Sequence, residues 1–414
     1  MARAKMVAFR QGGGNMIGRR AWLKLASGAS AGGLAGTLGA WPAVAAALAG
    51  PEPDRAFAFA ADRVPMNAAN LCPMPTAIAS AVYRFAADLQ RDMSAGNRRR
   101  IEGFKESART GIARQLGVDP DEVAIVRNTS EANSIVVQGL DLARDDEVLL
   151  WNQNHPSNHL AWRVRARRDG FAVREFAVPA GAASIDEAVD AVITALTPRT
   201  RVVSFTHISN VTGFRLPAAE ICAALRRRAP LLFVHVDGAQ TWGARAVDLR
   251  DVDCDSFSGS AHKWYLGPRE TGMLYVKADR HDELASTVVS IPWGSDVTPG
   301  VAGARRYEAL GQRDDAAIAA LAETVAWHDA LTPAAVAQAS ATVAERLRGG
   351  IEDLGLPLVS SGHPDFRSSV VILRAGDEAR RRLPDLILQD AGVIAAATGG
   401  LRFSPHVYNT AEHV

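Results

Sequence analysis

The sequence predicts an α/β fold: a mainly parallel, seven-stranded sheet flanked by helices in a large domain, with a smaller α+β domain beside it. Three observations carry this expectation. From about residue 118, short β-rich runs alternate with amphipathic helical stretches, the pattern of strand–helix–strand crossovers. The buried runs, such as "LLFVHVD", are nearly continuous in apolar residues, as strands covered on both faces must be. The length of 414 residues, 48% hydrophobic and 22% charged, suits one large soluble domain with an appendage.

Taken in order, residues 1–49 come first. Arg19 and Arg20 precede Trp22, Leu23 and Lys24, then a weakly apolar Ala/Gly/Leu stretch ends in "AVA" at 43–45 or "ALA" at 47–49. That is the layout of a twin-arginine export signal with a small-residue cleavage site. The competing reading is an amphipathic N-terminal helix. Abundant glycine and the lack of charge between Lys24 and Glu52 count against it. No other run reaches the ~20 apolar residues that span a membrane. The expected product is periplasmic, passing the twin-arginine translocase folded and with any cofactor inside.

Residues 50–115 read as a segment joining the small domain, 116–314 as the large domain and 315–414 as the small α+β domain. Seven strands are expected in "EVAIVR", "EVLLW", "FAVREF", "RVVSFTH", "LLFVHVD", "CDSFSG" and "GMLYV". Helices are expected in "SEANSIVVQGLDLA", "SIDEAVDAVITAL" and "AAEICAALRRR" between them. Beyond residue 315, two long helical patterns precede the strand "SSVVILR", another helix and "GGLRFSPHVYNT".

Bulk chemistry narrows the function. A net charge of +1 leaves no basic excess for general nucleic-acid binding, and "GNRRRIEG" and "ALRRRAP" read as solvated helix faces. Cys72, Cys222 and Cys254 form no Cys-x-x-Cys pair, so neither a structural metal site nor a disulfide scaffold is expected.

In a sheet of this kind ligands gather beyond the carboxyl ends of the strands, so the residues leaving each strand matter. "VAIVR" runs into "NTSEAN", placing Thr129 and Ser130 at a helix start, where free N–H groups favour an anion; plain capping is the alternative. His155 leaves the next strand, and His207 and Asn210 the one after; structural or turn roles compete there. Asp237 ends an apolar run, and a buried carboxylate needs a cationic or hydrogen-bonding partner, unless it only caps a helix. Lys263, in "SGSAHKWYLGP" behind Ser260 and His262, is a surface charge or a desolvated amine able to form a Schiff base. At one edge of one sheet, a phosphate cradle, an acid and an amine together match the needs of pyridoxal 5'-phosphate.

"DGAQ", followed 26 residues after its aspartate (237 to 263) by the lysine of "SAHK", resembles the fold-type I pyridoxal-phosphate enzymes of aminotransferase class V. That family includes cysteine desulfurases, kynureninases and isopenicillin N epimerases. The resemblance runs from about residue 65 to 414. It implies that Lys263 joins the cofactor aldehyde, Asp237 pairs with the pyridine nitrogen and His155 stacks on the ring. It places Gln240 and Asn210 near the ring hydroxyl, and Thr129 or Ser130 with Ser260 and His262 on the phosphate. Arg402 in "GGLRFSPHVYNT" matches the arginine that pairs with a substrate carboxylate. "RYEALGQRDDAAI" resembles the segment by which a neighbouring subunit completes the phosphate site, with Gln312 where relatives have threonine. A homodimer is therefore implied.

Two departures matter. No cysteine follows Cys254, whereas desulfurases need a mobile one late in the chain, so a desulfurase is not expected. The chain ends at "YNTAEHV", where relatives continue into a final helix. The expected enzyme opens a Cα bond of an amine or amino acid, by transamination, epimerisation or elimination. The epimerase-like branch fits best, and a secreted peptide such as a siderophore is one class of substrate. The alternative is a catalytically silent relative acting as a periplasmic binding protein.

Overall fold

The computed structural model describes residues 56–290 and 301–414; the expected export signal, with Arg19 and Arg20, lies outside them. The described chain opens with β1 (Val64–Pro65), α1 (Thr76–Arg91) and α2 (Ala95–Gln115). The sheet region then runs β2 (Val123–Val126), α3 (Thr129–Gly139), β3 (Glu147–Trp151), α4 (Pro156–Asp169), β4 (Ala172–Phe176), α5 (Ile185–Ala195) and β5 (Thr200–Thr206). It continues through α6 (Ala218–Arg228), β6 (Phe233–Asp237), α7 (Leu249–Val252), β7 (Ser256–Ser260) and β8 (Gly272–Val276). The last part comprises α8 (Asp315–Leu331), α9 (Pro333–Asp353), β9 (Val371–Leu373), α10 (Asp377–Ala391), β10 (Val393–Ile394), β11 (Ala396–Ala397) and β12 (Leu401–Phe403).

All seven expected strands join one sheet in the order β2-β8-β7-β6-β5-β3-β4. Five of them, β7 to β4 in that order, run parallel, while β8 is antiparallel to both neighbours. Both faces are apolar, which explains the unbroken apolar runs. Leu149, Trp151, Val203, Phe205, Val234 and Val236 pack on one side, and Val148, Leu150, Val202 and Phe233 on the other, following the two-residue period of a strand.

Two elements are shorter than their sequence patterns. The helix expected through "SEANSIVVQGLDLA" stops at Gly139, because Leu140 turns extended and bridges Leu284. Only glycine fits at that last helical position: a Cβ at Gly139 would lie 2.4 Å from the Ala285 carbonyl oxygen. "SSVVILR" yields only β9, and just ahead of it the Ser368 hydroxyl accepts the Val370 N–H.

The C-terminal strands form a three-stranded antiparallel sheet, β11-β12-β9. β1 pairs in parallel with β10, and Asn67 bridges Ser404, so the start of the described chain is tied to its end. Helices α1 and α2 bury Ala81, Phe85 and Ile101 against Ala316, Ala319 and Ala320 of α8. The consequence for function is positional. The carboxyl ends of β3, β5, β6 and β7 and the N-terminus of α3 share one edge, and β12 delivers Arg402 from the smaller sheet.

Candidate active site

Asp237 closes β6 and is fully buried. Its Oδ1 accepts the Ala239 N–H at 3.0 Å, and its Oδ2 accepts Nδ2–H of Asn133 at 2.9 Å. Asn133 lies one turn into α3, and its Oδ1 accepts from Ser258 Oγ at 2.7 Å and meets His235 Nε2 at 3.0 Å. His235 in turn meets Ser256 Oγ through Nδ1 at 2.8 Å. Burial pushes the His235 imidazole down to about 4, with Asp237 opposing, so the ring is neutral near pH 7.

Lys263 lies in the turn after β7 and is half-buried. Burial lowers its pKa; the Asp237 carboxylate opposes this and Arg402 reinforces it. The other described lysines, Lys105 and Lys277, sit in ion pairs with Glu102, Glu308 and Asp253. Lys263 has no such partner among the described residues. His155 caps α4, its Nδ1 accepting the Ser157 N–H at 3.2 Å with Ser157 Oγ at 2.8 Å. Its pKa is lowered by burial, raised by Asp237 and lowered again by Lys263 and Arg402. Asp237 and Arg402 thus act on both His155 and Lys263. Arg402 is buried and pushed down to about 10 by that burial. It donates to the Asn210 carbonyl at 3.3 Å and Asn67 Oδ1 at 3.0 Å, and its Nε–H has no partner.

At the start of α3, Asn128 does the capping by accepting the Glu131 N–H. Capping is thus not what Thr129 is for. Its N–H donates to Ser260 Oγ, and the two hydroxyls meet at 2.8 Å. Ser130, by contrast, is exposed. His262 is half-buried, and burial, Lys263 and Arg269 push it down to about 4.

An amine, a buried carboxylate, a helix N-terminus lined by hydroxyls and an arginine with an orphaned N–H fit pyridoxal phosphate and a carboxylate-bearing amine. The aminotransferase class-V family profile matches residues 75–414. The chain belongs to the aminotransferase class V family. It is 30% identical over 368 residues to an isopenicillin N epimerase from Streptomyces clavuligerus, covering 85% of this chain and 92% of that one. It is 32% identical over 230 residues to a probable cysteine desulfurase from Methanothermobacter thermautotrophicus, covering 54% and 55%. Among solved structures, the cystine C–S lyase C-DES has a TM-score of 0.78 at 25% identity, covering 85% of this chain and 95% of that chain. A C-DES variant with glycine covalently linked to its pyridoxal-phosphate cofactor has a TM-score of 0.77 at 24% identity, with coverage of 85% and 94%. The α/β fold and the cofactor class expected from sequence are those of this class V enzyme.

Two sequence-derived residues sit differently from the rest. Gln240 is buried and committed at both ends: Nε2–H donates to the Ala69 carbonyl at 2.9 Å, and Oε1 accepts the Trp264 indole N–H at 2.7 Å. Gln312 is exposed in an outer groove, where its Oε1 accepts from Arg98 and its Nε2–H donates to Asp315 rather than to any group at the Lys263 edge. Asn133, His235 and Trp264 were not singled out from sequence. A signal existed for two of them: His235 precedes Asp237 by two residues, hence on the same strand face, and Asn133 follows Thr129 by one helical turn.

Proposed function

We propose that this class V enzyme opens the Cα–H bond of an amino acid or amino-acid-like amine, as the isopenicillin N epimerase branch of its relatives suggests. The observation that carries the reading is the grouping of Lys263, Asp237 and Arg402 at one sheet edge, where Asp237 and Arg402 both act on the Lys263 amine. When bound, pyridoxal phosphate supplies an aldehyde for the substrate amine and a ring that draws electron density from Cα. Asp237 would hold the ring nitrogen. Lys263 Nζ, its basic form favoured by burial, takes the Cα proton and returns it. Arg402 orients the substrate by its carboxylate. Thr129, Ser260 and His262 would hold the phosphate, and His155 would cover the ring.

Thiol chemistry supports epimerisation or transamination over desulfuration. Cys72, Cys222 and Cys254 are all buried. Burial pushes the Cys72 thiol up to about 12 and raises the other two as well, which disfavours the nucleophilic thiolate. We further propose export by the twin-arginine route to the periplasm, with a secreted peptide as one substrate class, and a homodimer in which Gln312 reaches the partner's phosphate site.

The test starts with the purified protein and added pyridoxal phosphate. A visible band lost in Lys263→Ala is expected; a colourless wild type would sink the lysine's assignment. Amino acids and peptide amines incubated in D2O and read by mass spectrometry then separate the reactions. Deuterium at Cα with inversion marks an epimerase, keto-acid release a transaminase, and sulfide or persulfide a C–S lyase. A wild type that binds the cofactor but turns over no amine would favour the silent binding protein. Replacing Arg19 and Arg20 by lysine should hold the precursor in the cytoplasm; unchanged export would refute that route.

A further inference from the structure

We propose that Asn133, locked by His235 and Ser258, is a positioning residue that aims the Asp237 carboxylate at the cofactor. The inference rests on the pyridoxal-phosphate reading of the site. Its geometry comes from the sheet register. Parallel pairing of β6 with β7 sets His235 level with Ser256 and Asp237 level with Ser258, and α3 crosses above them carrying Asn133. All five side chains are completely buried.

The hydrogen bonds admit one arrangement. Asp237 Oδ2 can only accept, so the Asn133 atom facing it must be the donating Nδ2. Asn133 Oδ1 then faces Ser258 Oγ and His235 Nε2, both of which must donate. With Nε2 protonated on a neutral ring, Nδ1 accepts from Ser256 Oγ. A flipped Asn133 would set its carbonyl against the carboxylate and its amide against the Nε2–H. The chain Ser256, His235, Asn133, Asp237 is thus a directed relay in a dry interior, where successive hydrogen bonds strengthen one another.

The effect on Asp237 is specific. Asn133 and the Ala239 N–H each occupy one lone pair on a different oxygen. The carboxylate can neither rotate nor turn inward, and each oxygen keeps capacity for a cationic N–H. The amide itself, with its partners satisfied on both sides, adds no charge to the site.

Apoprotein titrated with pyridoxal 5'-phosphate tests this, alongside apoprotein melting. Asn133→Ala should weaken cofactor binding at least tenfold and shift the visible band of bound cofactor at fixed pH. His235→Phe should move both readouts the same way by less, and His235→Gln, which restores a donor, should recover most of the loss. Should Asn133→Ala not fold, Ser258→Ala removes one of the two locks and should give a smaller shift of the same sign. Wild-type affinity and spectrum in these variants, with only the melting temperature lowered, would overturn the positioning role. So would equal loss in His235→Phe and His235→Gln. A wild type that fails to bind the cofactor would instead strike the underlying reading, which keeps the two failures distinct.

Discussion

Arg109 of α2 and Glu308, just ahead of the Gln312 turn, form a two-pronged buried ion pair. Nη2 meets Oε1 at 2.7 Å and Nη1 meets Oε2 at 3.0 Å, and Glu308 also accepts the Ile125 N–H of β2. One carboxylate therefore ties a helix, the sheet edge and the segment bearing Gln312. Removing Arg109 leaves the buried Glu308 carboxylate with Lys105 as its remaining cation, and breaking such a buried pair costs up to about 3–5 kcal/mol. Arg109→Ala should lower unfolding free energy by that amount in urea titrations, whereas Arg99→Ala, an exposed helix residue, should change it little.

The start of α3 allows a discriminating pair of substitutions. Thr129 is buried against Ser260, while Ser130 is exposed. Thr129→Ala and Ser260→Ala should each weaken pyridoxal-phosphate binding about tenfold, in keeping with about 1–1.5 kcal/mol for one hydrogen bond. Ser130→Ala should fall well short of this. Fluorescence titration of the apoprotein measures all three.

Arg402 makes two bonds to neutral oxygens and leaves Nε–H unpartnered in the interior. A substrate carboxylate would relieve that deficit. Arg402→Ala should raise KM for a carboxylate-bearing amine about a hundredfold, matching about 2–3 kcal/mol for a charge-assisted contact, with cofactor loading retained by absorbance. An amine lacking the carboxylate should show little difference between the two proteins.

Acid should destabilise the fold through its buried histidines. His235 and His406 are held neutral by burial, with pKa pushed down to about 4 and about 3 from the ordinary 6.5. Below pH 6.5 the unfolded chain binds protons that the folded one refuses, so stability falls as pH drops. The decline continues until the folded values are reached. Each ring contributes about 1.4 kcal/mol per pH unit. Urea titrations at pH 7, 6 and 5 measure the slope, and a flat profile would contradict it.

The strand ends carried most of what could be read in advance. "LLFVHVD" and "CDSFSG" are too apolar to be anything but interior strands, and Asp237 and Lys263 stand where such strands must open to a ligand. Gln240 shows the limit. Its neighbourhood to Asp237 was legible, but its carboxamide is taken by Ala69 and Trp264, the former 171 residues away in the chain. Asn133 shows the same limit: its place one helical turn after Thr129 is legible, but its bond to the carboxylate 104 residues on is not.

The sequence by itself determined the alternation of strands and helices, the edge at which polar residues emerge and the chemical kinds assembled there. Those follow from local periodicity and from the cost of burying a charge in an apolar run. Only the tertiary structure decided which atoms meet: that Asn128 caps and frees Thr129 for Ser260, that Asn133 and not a cation faces Asp237 Oδ2, and that β12 brings Arg402 within reach of Lys263. Those outcomes depend on strand register and helix placement, which long-range packing sets and short-range pattern does not encode.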